Sequence, residues 1–302
     1  GRQGLLAIEQ DILFQAIQAY MNVIRDRQIV GLRQKNVSVL QKQLTAADER
    51  FKVGEITRTD VAQSRARVSG AQSNVASAKA SLAASVANYF NVVGHDPGKL
   101  KYPKLAKLPR SLAEAQAAAE EINPNILSAA YVEEASRFNT EALKGDLLPA
   151  VDLAASATIT DNPSAGVGSS ESARIEAVLT IPLYEAGRVY SSVREAKHVT
   201  SQRRLEVIQA GRAVRESVSI SWNNLIAARE TIRSAKEQVS AAELALDGVR
   251  QEYFVGSRTT LDVLDAEGEV VNARITQVSA ERDQIVAAYQ ILGSIGRLTA
   301  RD

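Results

Sequence analysis

The sequence predicts a mainly α protein: two long antiparallel coiled-coil hairpins related by an internal repeat, and one amphipathic β-hairpin between them. Three observations predict it. Residues of the first part recur 202 positions later. Apolar residues return every seven positions through both copies. Between the copies stand two short runs in which apolar and polar residues alternate.

The repeat is carried by matched positions along its length. Asn22, Ile24 and Arg27 return as Asn224, Ile226 and Arg229, and Leu44 as Leu246. Val53-Gly54 returns as Val255-Gly256, Thr57 as Thr259, Asp60-Val61 as Asp262-Val263, and Gly94 as Gly296. A period this long is one large duplicated unit rather than a solenoid repeat.

In the first copy the heptad runs Ala16, Val23, Val30, Val37, Leu44, Phe51. In the second it runs Val218, Leu225, Ile232, Val239, Leu246, Tyr253. Such a stripe favours helices that supercoil left-handedly about a neighbour. The companion row is interrupted by Asp26 and Arg33, which suits a sheath of helices better than a two-stranded coil. Each Val-Gly pair is a helix stop, because glycine accepts positive φ. Thr57 and Thr259 then read as N-caps, with Asp60 and Asp262 in the capping-box position three residues on. The stripe resumes as Val61, Val68, Val75, Leu82, Tyr89, and as Leu264, Val271, Val278, Ile285, Leu292. Each copy is therefore two antiparallel helices joined at Gly54 or Gly256. The helix from Gly187 to Val255 would be roughly 100 Å long at 1.5 Å per residue.

All seven prolines lie between Pro97 and Pro182, so the architecture changes there. Lys99 to Arg110 reads as an irregular connector. Ser111–Glu121 and Pro124–Leu143 read as shorter helices, the second with proline in its first turn. Val151 to Thr160 and Ala173 to Leu183 alternate with period two and are of the length of a tilted membrane-spanning strand. Asp161 to Ser172 has the Gly, Ser and Asn of a surface loop. Tyr184 and Tyr190 stand where an interfacial aromatic girdle belongs. Four segments follow: 1–94, the first helical hairpin; 95–148, connector and shorter helices; 149–184, the β-hairpin; and 185–302, the second helical hairpin.

Two readings of the β-hairpin stand. It packs on the helices of a soluble protein, or it spans a membrane. A spanning hairpin cannot leave its edges open in lipid, so its sheet must close through strands of other subunits or of further chain. The second copy has a hairpin before its long helix and the first does not. The natural protein is therefore expected to extend upstream, with a matching hairpin.

Composition excludes several classes. With 36 Lys and Arg against 35 Asp and Glu, the net charge is +1, unlike the basic excess of a nucleic-acid binder. No cysteine is present and only two histidines, which removes disulfides, thiolate metal sites and His-rich metal sites. No nucleophile–base set, metal-ligand cluster or cofactor loop is visible, so no enzyme is expected. No stretch is long and apolar enough for a transmembrane helix.

Four segments carry a family resemblance: Ala19-Tyr-Met-Asn-Val-Ile-Arg-Asp26; Arg50-Phe-Lys-Val-Gly-Glu-Ile-Thr-Arg-Thr-Asp-Val61; Leu179-Thr-Ile-Pro-Leu-Tyr-Glu-Ala-Gly-Arg188; and Tyr253-Phe-Val-Gly-Ser-Arg-Thr-Thr-Leu-Asp-Val-Leu-Asp-Ala266. With them the sequence resembles the TolC family of outer-membrane efflux and type I secretion channels, over essentially its whole length. The resemblance implies a homotrimer with a shared transmembrane β-barrel in outer-membrane lipid and a periplasmic α-barrel tunnel. It implies a periplasmic adaptor and an inner-membrane transporter as partners, no cofactor, and export of proteins or small toxic compounds. Only two of the family's four strands per subunit are in this chain. The competing reading is a periplasmic coiled-coil adaptor or scaffold; two hairpins with so little strand argue against it.

By position in the family's motifs, Asp60 would face Tyr253 and Arg258 in a periplasmic gate. Asp262 and Asp265 would form the acidic constriction. Val53, Gly54, Val255 and Gly256 would be adaptor-docking tips. Each has a local reading beside it: Asp60 caps its helix and Arg258 is solvated, Asp262 complements a helix N-terminus, and the glycines are plain stops. Tyr20 and Trp222, at equivalent positions, read as packing residues.

Overall fold

The computed structural model describes residues 1–103, 107–161 and 168–299. Its elements are α1 (Arg2–Lys52), α2 (Arg58–Val93), α3 (Leu112–Ile122), α4 (Pro124–Gly145), β1 (Ala150–Thr160), β2 (Ser170–Thr180), α5 (Arg188–Phe254) and α6 (Thr260–Ile295). They group into two compact units, Gly1–Asn125 with Ala213–Asp302, and Ile126–Arg212.

In the first unit α1 packs on α2 and α6. Of the heptad residues, Val23, Leu44, Val218, Leu225, Ile232 and Leu246 are buried, Ala16, Val30, Val37, Val239 and Tyr253 are half-buried, and Phe51 at the end of the first run is exposed. Leu40, Leu44 and Ala47 of α1 meet Val61, Val68 and Ala71 of α2 and Leu264 of α6 in one cluster. Met21 and Ile24 of α1 meet Ile285, Val286, Tyr289 and Leu292 of α6 in another. Ile232 and Ala235 of α5 pack on Ala280 of α6. Asp26 is buried without disrupting this packing, because Arg25 Nε, at 2.8 Å, and the Ser85 hydroxyl both donate to its carboxylate.

The predicted connector, apart from residues 104–106, which lie outside the described residues, is clamped by polar groups of α1. Arg27 donates to the carbonyls of Pro97 and Gly98, each at 2.8 Å. The Tyr20 hydroxyl donates to the Lys101 carbonyl at 2.7 Å and accepts its N–H at 3.0 Å. Tyr20 therefore does more than pack, a role its lost repeat symmetry with Trp222 conceals, since an indole has no hydroxyl.

In the second unit α4 lies along the first turns of α5. The Thr200 hydroxyl is bonded to those of Ser136 and Thr140, at 3.0 and 3.1 Å. β1 and β2 form one antiparallel ladder from Ala150↔Thr180 to Thr160↔Ser170. β2 begins three residues before the predicted Ala173 and stops at Thr180, so Ser170–Ser172 are strand and Ile181–Leu183 are not. Ladder pairing sets both ends. Pro149 and Pro182, which have no N–H to donate, flank the outer end. Residues 162–167 of the predicted loop lie outside the described residues.

The register sorts the hairpin's faces. Val151, Leu153 and Ala155 oppose Leu179, Ala177 and Ile175 on one face; Ala154, Ser156 and Thr158 oppose Glu176, Arg174 and Ser172 on the other. Among the described residues nothing covers the apolar face: Leu153 is 76% exposed and Ile175 80%. Within its unit the hairpin is therefore not packed on α4 or on the first turns of α5. Among the described residues no helix is long and apolar enough to cross a membrane.

Candidate functional site

The two tips are built alike. Gly54 (φ +80°) and Gly256 (φ +83°) adopt the left-handed conformation that closes each long helix. At the first tip Gly54 N–H donates to Phe51 O and Glu55 N–H to Arg50 O, both 3.0 Å. At the second, Gly256 N–H donates to Tyr253 O at 3.0 Å and Ser257 N–H to Glu252 O at 2.9 Å. This double bond pattern satisfies carbonyls at the helix end. Val53 and Val255, beside the glycines, stand exposed.

Both predicted capping boxes are present. The Thr57 hydroxyl accepts the Asp60 N–H at 3.3 Å, and the Asp60 carboxylate accepts the Thr57 N–H at 2.8 Å; Thr259 and Asp262 repeat the arrangement. The Thr57 N–H and then its hydroxyl hold the Asp60 carboxyl below the usual carboxylate range, and Thr259 does the same to Asp262. Both aspartates therefore stay charged well into acid. Because Asp60 is depressed on folding, the stability it adds is complete above about pH 4 and is lost as pH falls through the lower folded value. Thr57→Ala is expected to cost about 1 kcal/mol. It should also move the Asp60 titration up toward the ordinary range, measured by carboxyl NMR and by unfolding between pH 7 and pH 2.

Within one chain, and among the described residues, no hydrogen bond or ion pair joins Asp60 to Tyr253 or Arg258. Asp60 is occupied by Thr57. Arg258 is exposed, as its local reading has it, and its Nε also donates to Glu252 at 2.6 Å, which raises its pKa. Tyr253 instead joins the two arms, its hydroxyl accepting from Arg50 Nη1, with the Arg50 guanidinium 5.2 Å from its ring centre. Asp265 accepts from Arg67 of α2, and Asp262 keeps to its cap.

The sequence reading missed Arg50, Arg67 and a buried carboxylate, Glu267. Glu267 is 4% exposed and accepts from Arg250 Nη2 at 2.8 Å and from Gln43 Nε2, tying α5, α1 and α6 together. A signal for it existed. It falls three residues after the stripe residue Leu264 of α6, the same offset at which Asp26 follows the stripe residue Val23 of α1.

Comparison with known proteins agrees with this architecture. The family model described as outer membrane efflux protein matches residues 116–297. The outer membrane efflux protein BepC of Brucella suis is 41% identical over 301 residues, 99% of this chain and 66% of that protein. The outer membrane protein TolC of Escherichia coli K12 is 27% identical, over 97% of this chain and 63% of TolC. The chain thus spans a little under two thirds of the length of these relatives. The crystal structure of a membrane protein from Pseudomonas aeruginosa superposes with a TM-score of 0.83 at 16% identity, covering 97% of this chain and 69% of that one, which shows a shared fold. Duplicated helical arms, paired tips and an uncovered amphipathic hairpin thus occur in a chain that belongs to the outer membrane efflux protein family.

Proposed function

We propose that the chain is part of a passive outer-membrane duct through which proteins or small toxic compounds leave the cell. The observation that carries this is the β-hairpin, on which Val151, Leu153, Ile175 and Leu179 share one face that nothing among the described residues covers. A two-stranded sheet with open edges is stable in lipid only when closed by further strands, which calls for other subunits, here a homotrimer. The apolar face would meet lipid and the face bearing Arg174 and Glu176 would line a water-filled barrel. The duct itself would use no cofactor, the driving energy coming from an inner-membrane transporter joined through a periplasmic adaptor. The exposed Val53 and Val255, each beside its left-handed glycine, Gly54 or Gly256, offer the adaptor small apolar knobs on rigid arms.

Closure is assigned to the tips. Asp60, Tyr253 and Arg258 would bond across neighbouring coils of adjacent subunits, in competition with their partners Thr57, Arg50 and Glu252 in the single chain. Asp262 and Asp265, repeated by symmetry, would place negative charge at the narrowest point, as cation-selective pores do. The test is conductance of the full-length protein in a planar bilayer. The expected result is a small cation-selective conductance that rises when Asp60 or Arg258 is replaced by alanine. Absence of any conductance from correctly inserted protein defeats the proposal.

A further inference from the structure

We propose that Arg67 sets the charge met by an ion at the second tip, by masking the Asp265 carboxylate of its own chain. Of the two aspartates assigned to the constriction, only Asp262 then acts as an unpaired negative charge. This rests on the duct function proposed above and narrows its acidic constriction from two aspartates to Asp262, with Arg67 as the residue that tunes ion selectivity.

Three observations carry it. First, Arg67 Nη2 of α2 donates to Asp265 Oδ1 of α6, an ion pair between the two arms. Both side chains are about half exposed, 49% and 55%, so the pair adds little to folding stability. Its consequence lies in the local field: a cation in contact with an anion leaves a dipole, whose potential falls off faster than that of a single charge. Second, Asp262 is differently placed. Its carboxylate is held by the Thr259 N–H and hydroxyl, both neutral groups, and among the described residues no Lys or Arg is ion-paired with it. The nearby Arg258 is already bonded to Glu252. Third, the pair is not a relic of the duplication. The position equivalent to Arg67 in the second copy is Glu269, and that equivalent to Asp265 in the first is Gln63. The repeated positions cannot form the same pair in reverse, so each chain makes it once, with the first arm supplying the cation and the second the anion. Arg67 also lies one heptad after Asp60, so it shares a helix face with the residue assigned to the gate.

The test is the cation-over-anion permeability ratio of the full-length protein, read from reversal potentials under a salt gradient. R67Q is expected to raise the ratio roughly threefold, the effect of one unit charge acting across about 7 Å of water. D265N, which leaves Arg67 unbalanced, is expected to lower it by a similar factor. The double variant R67Q/D265N should return to the parent ratio. R67K keeps the cation and should also match the parent; a rise there as large as in R67Q would indicate lost packing rather than lost charge and would overturn the proposal. A conducting parent whose ratio R67Q leaves unchanged, while D265N lowers it, overturns the masking role alone. A parent that conducts nothing overturns the duct function itself.

Discussion

Arginine in place of Leu153 is expected to keep the hairpin out of the bilayer, whereas arginine at the adjacent Ala154 is expected to be tolerated. The two positions are neighbours in β1 and sit at nearly the same depth, but they point to opposite faces. Leu153 opposes Ala177 among Val151, Ala155, Ile175 and Leu179. A guanidinium there would face hydrocarbon, at a cost of about 2–4 kcal/mol near the bilayer midplane. That is on the order of a hundredfold per subunit, compounded in a closed oligomer. Ala154 opposes Glu176, so its arginine would gain an opposite charge across the strands. Membrane fractionation of the full-length protein checks this: Leu153→Arg should be lost from the outer-membrane fraction and Ala154→Arg retained. Equal recovery of both would mean that the apolar face does not meet lipid.

Gly296→Ala is expected to destabilise the first unit far more than Gly94→Ala, although the two glycines are equivalent in the repeat and end their helices alike. Gly94 has φ +87° and Gly296 φ +95°, so alanine is strained at either place, by about 1–2 kcal/mol. The surroundings differ. A Cβ at Gly94 would meet nothing within 4 Å. One at Gly296 would lie 2.9 Å from Pro124 Cδ, 3.0 Å from Asn123 Cα and 3.3 Å from Ile122 O. That junction between α3 and α4 cannot easily retreat. Asn123 is buried, its Nδ2 donates to Ser294 O at 2.8 Å, and its Oδ1 accepts the Asn125 N–H at 2.9 Å. Forcing the backbones apart adds about 1–3 kcal/mol. Denaturant unfolding should therefore separate the two variants clearly, and equal losses would show that α3–α4 does not approach α6 this closely.

The pairing of glycines also shows where sequence reasoning stops. Offset and φ requirement were legible at both positions, because a helix stop is a local property. Only the approach of Ile122, Asn123 and Pro124 to the end of α6 separates one glycine from the other. The strands behave similarly. Alternation placed Val151, Leu153, Ile175 and Leu179 on one face, but the extent of β2 follows from the partners that β1 offers, so Ser170–Ser172 joined the sheet against their composition.

At the tips, the sequence by itself determined what acts within about one helical turn: the stops at Gly54 and Gly256, the caps at Thr57 and Thr259, and the acidic partners Asp60 and Asp262. It also determined the stripe whose buried members include Val23 and Leu44 in α1 and Val218, Leu225, Ile232 and Leu246 in α5. Only the tertiary structure decided that Arg50 reaches Tyr253, that Arg67 neutralises Asp265, and that Glu267 is buried between Gln43 and Arg250. The physical reason is range. Capping bonds and heptads join residues whose separation is fixed by helix geometry, so spacing alone reveals them. The hydrogen bond from Arg50 to Tyr253 and the ion pair of Arg67 with Asp265 join residues about two hundred positions apart, and which groups meet depends on the rotation and register of packed helices, to which a one-dimensional pattern is blind.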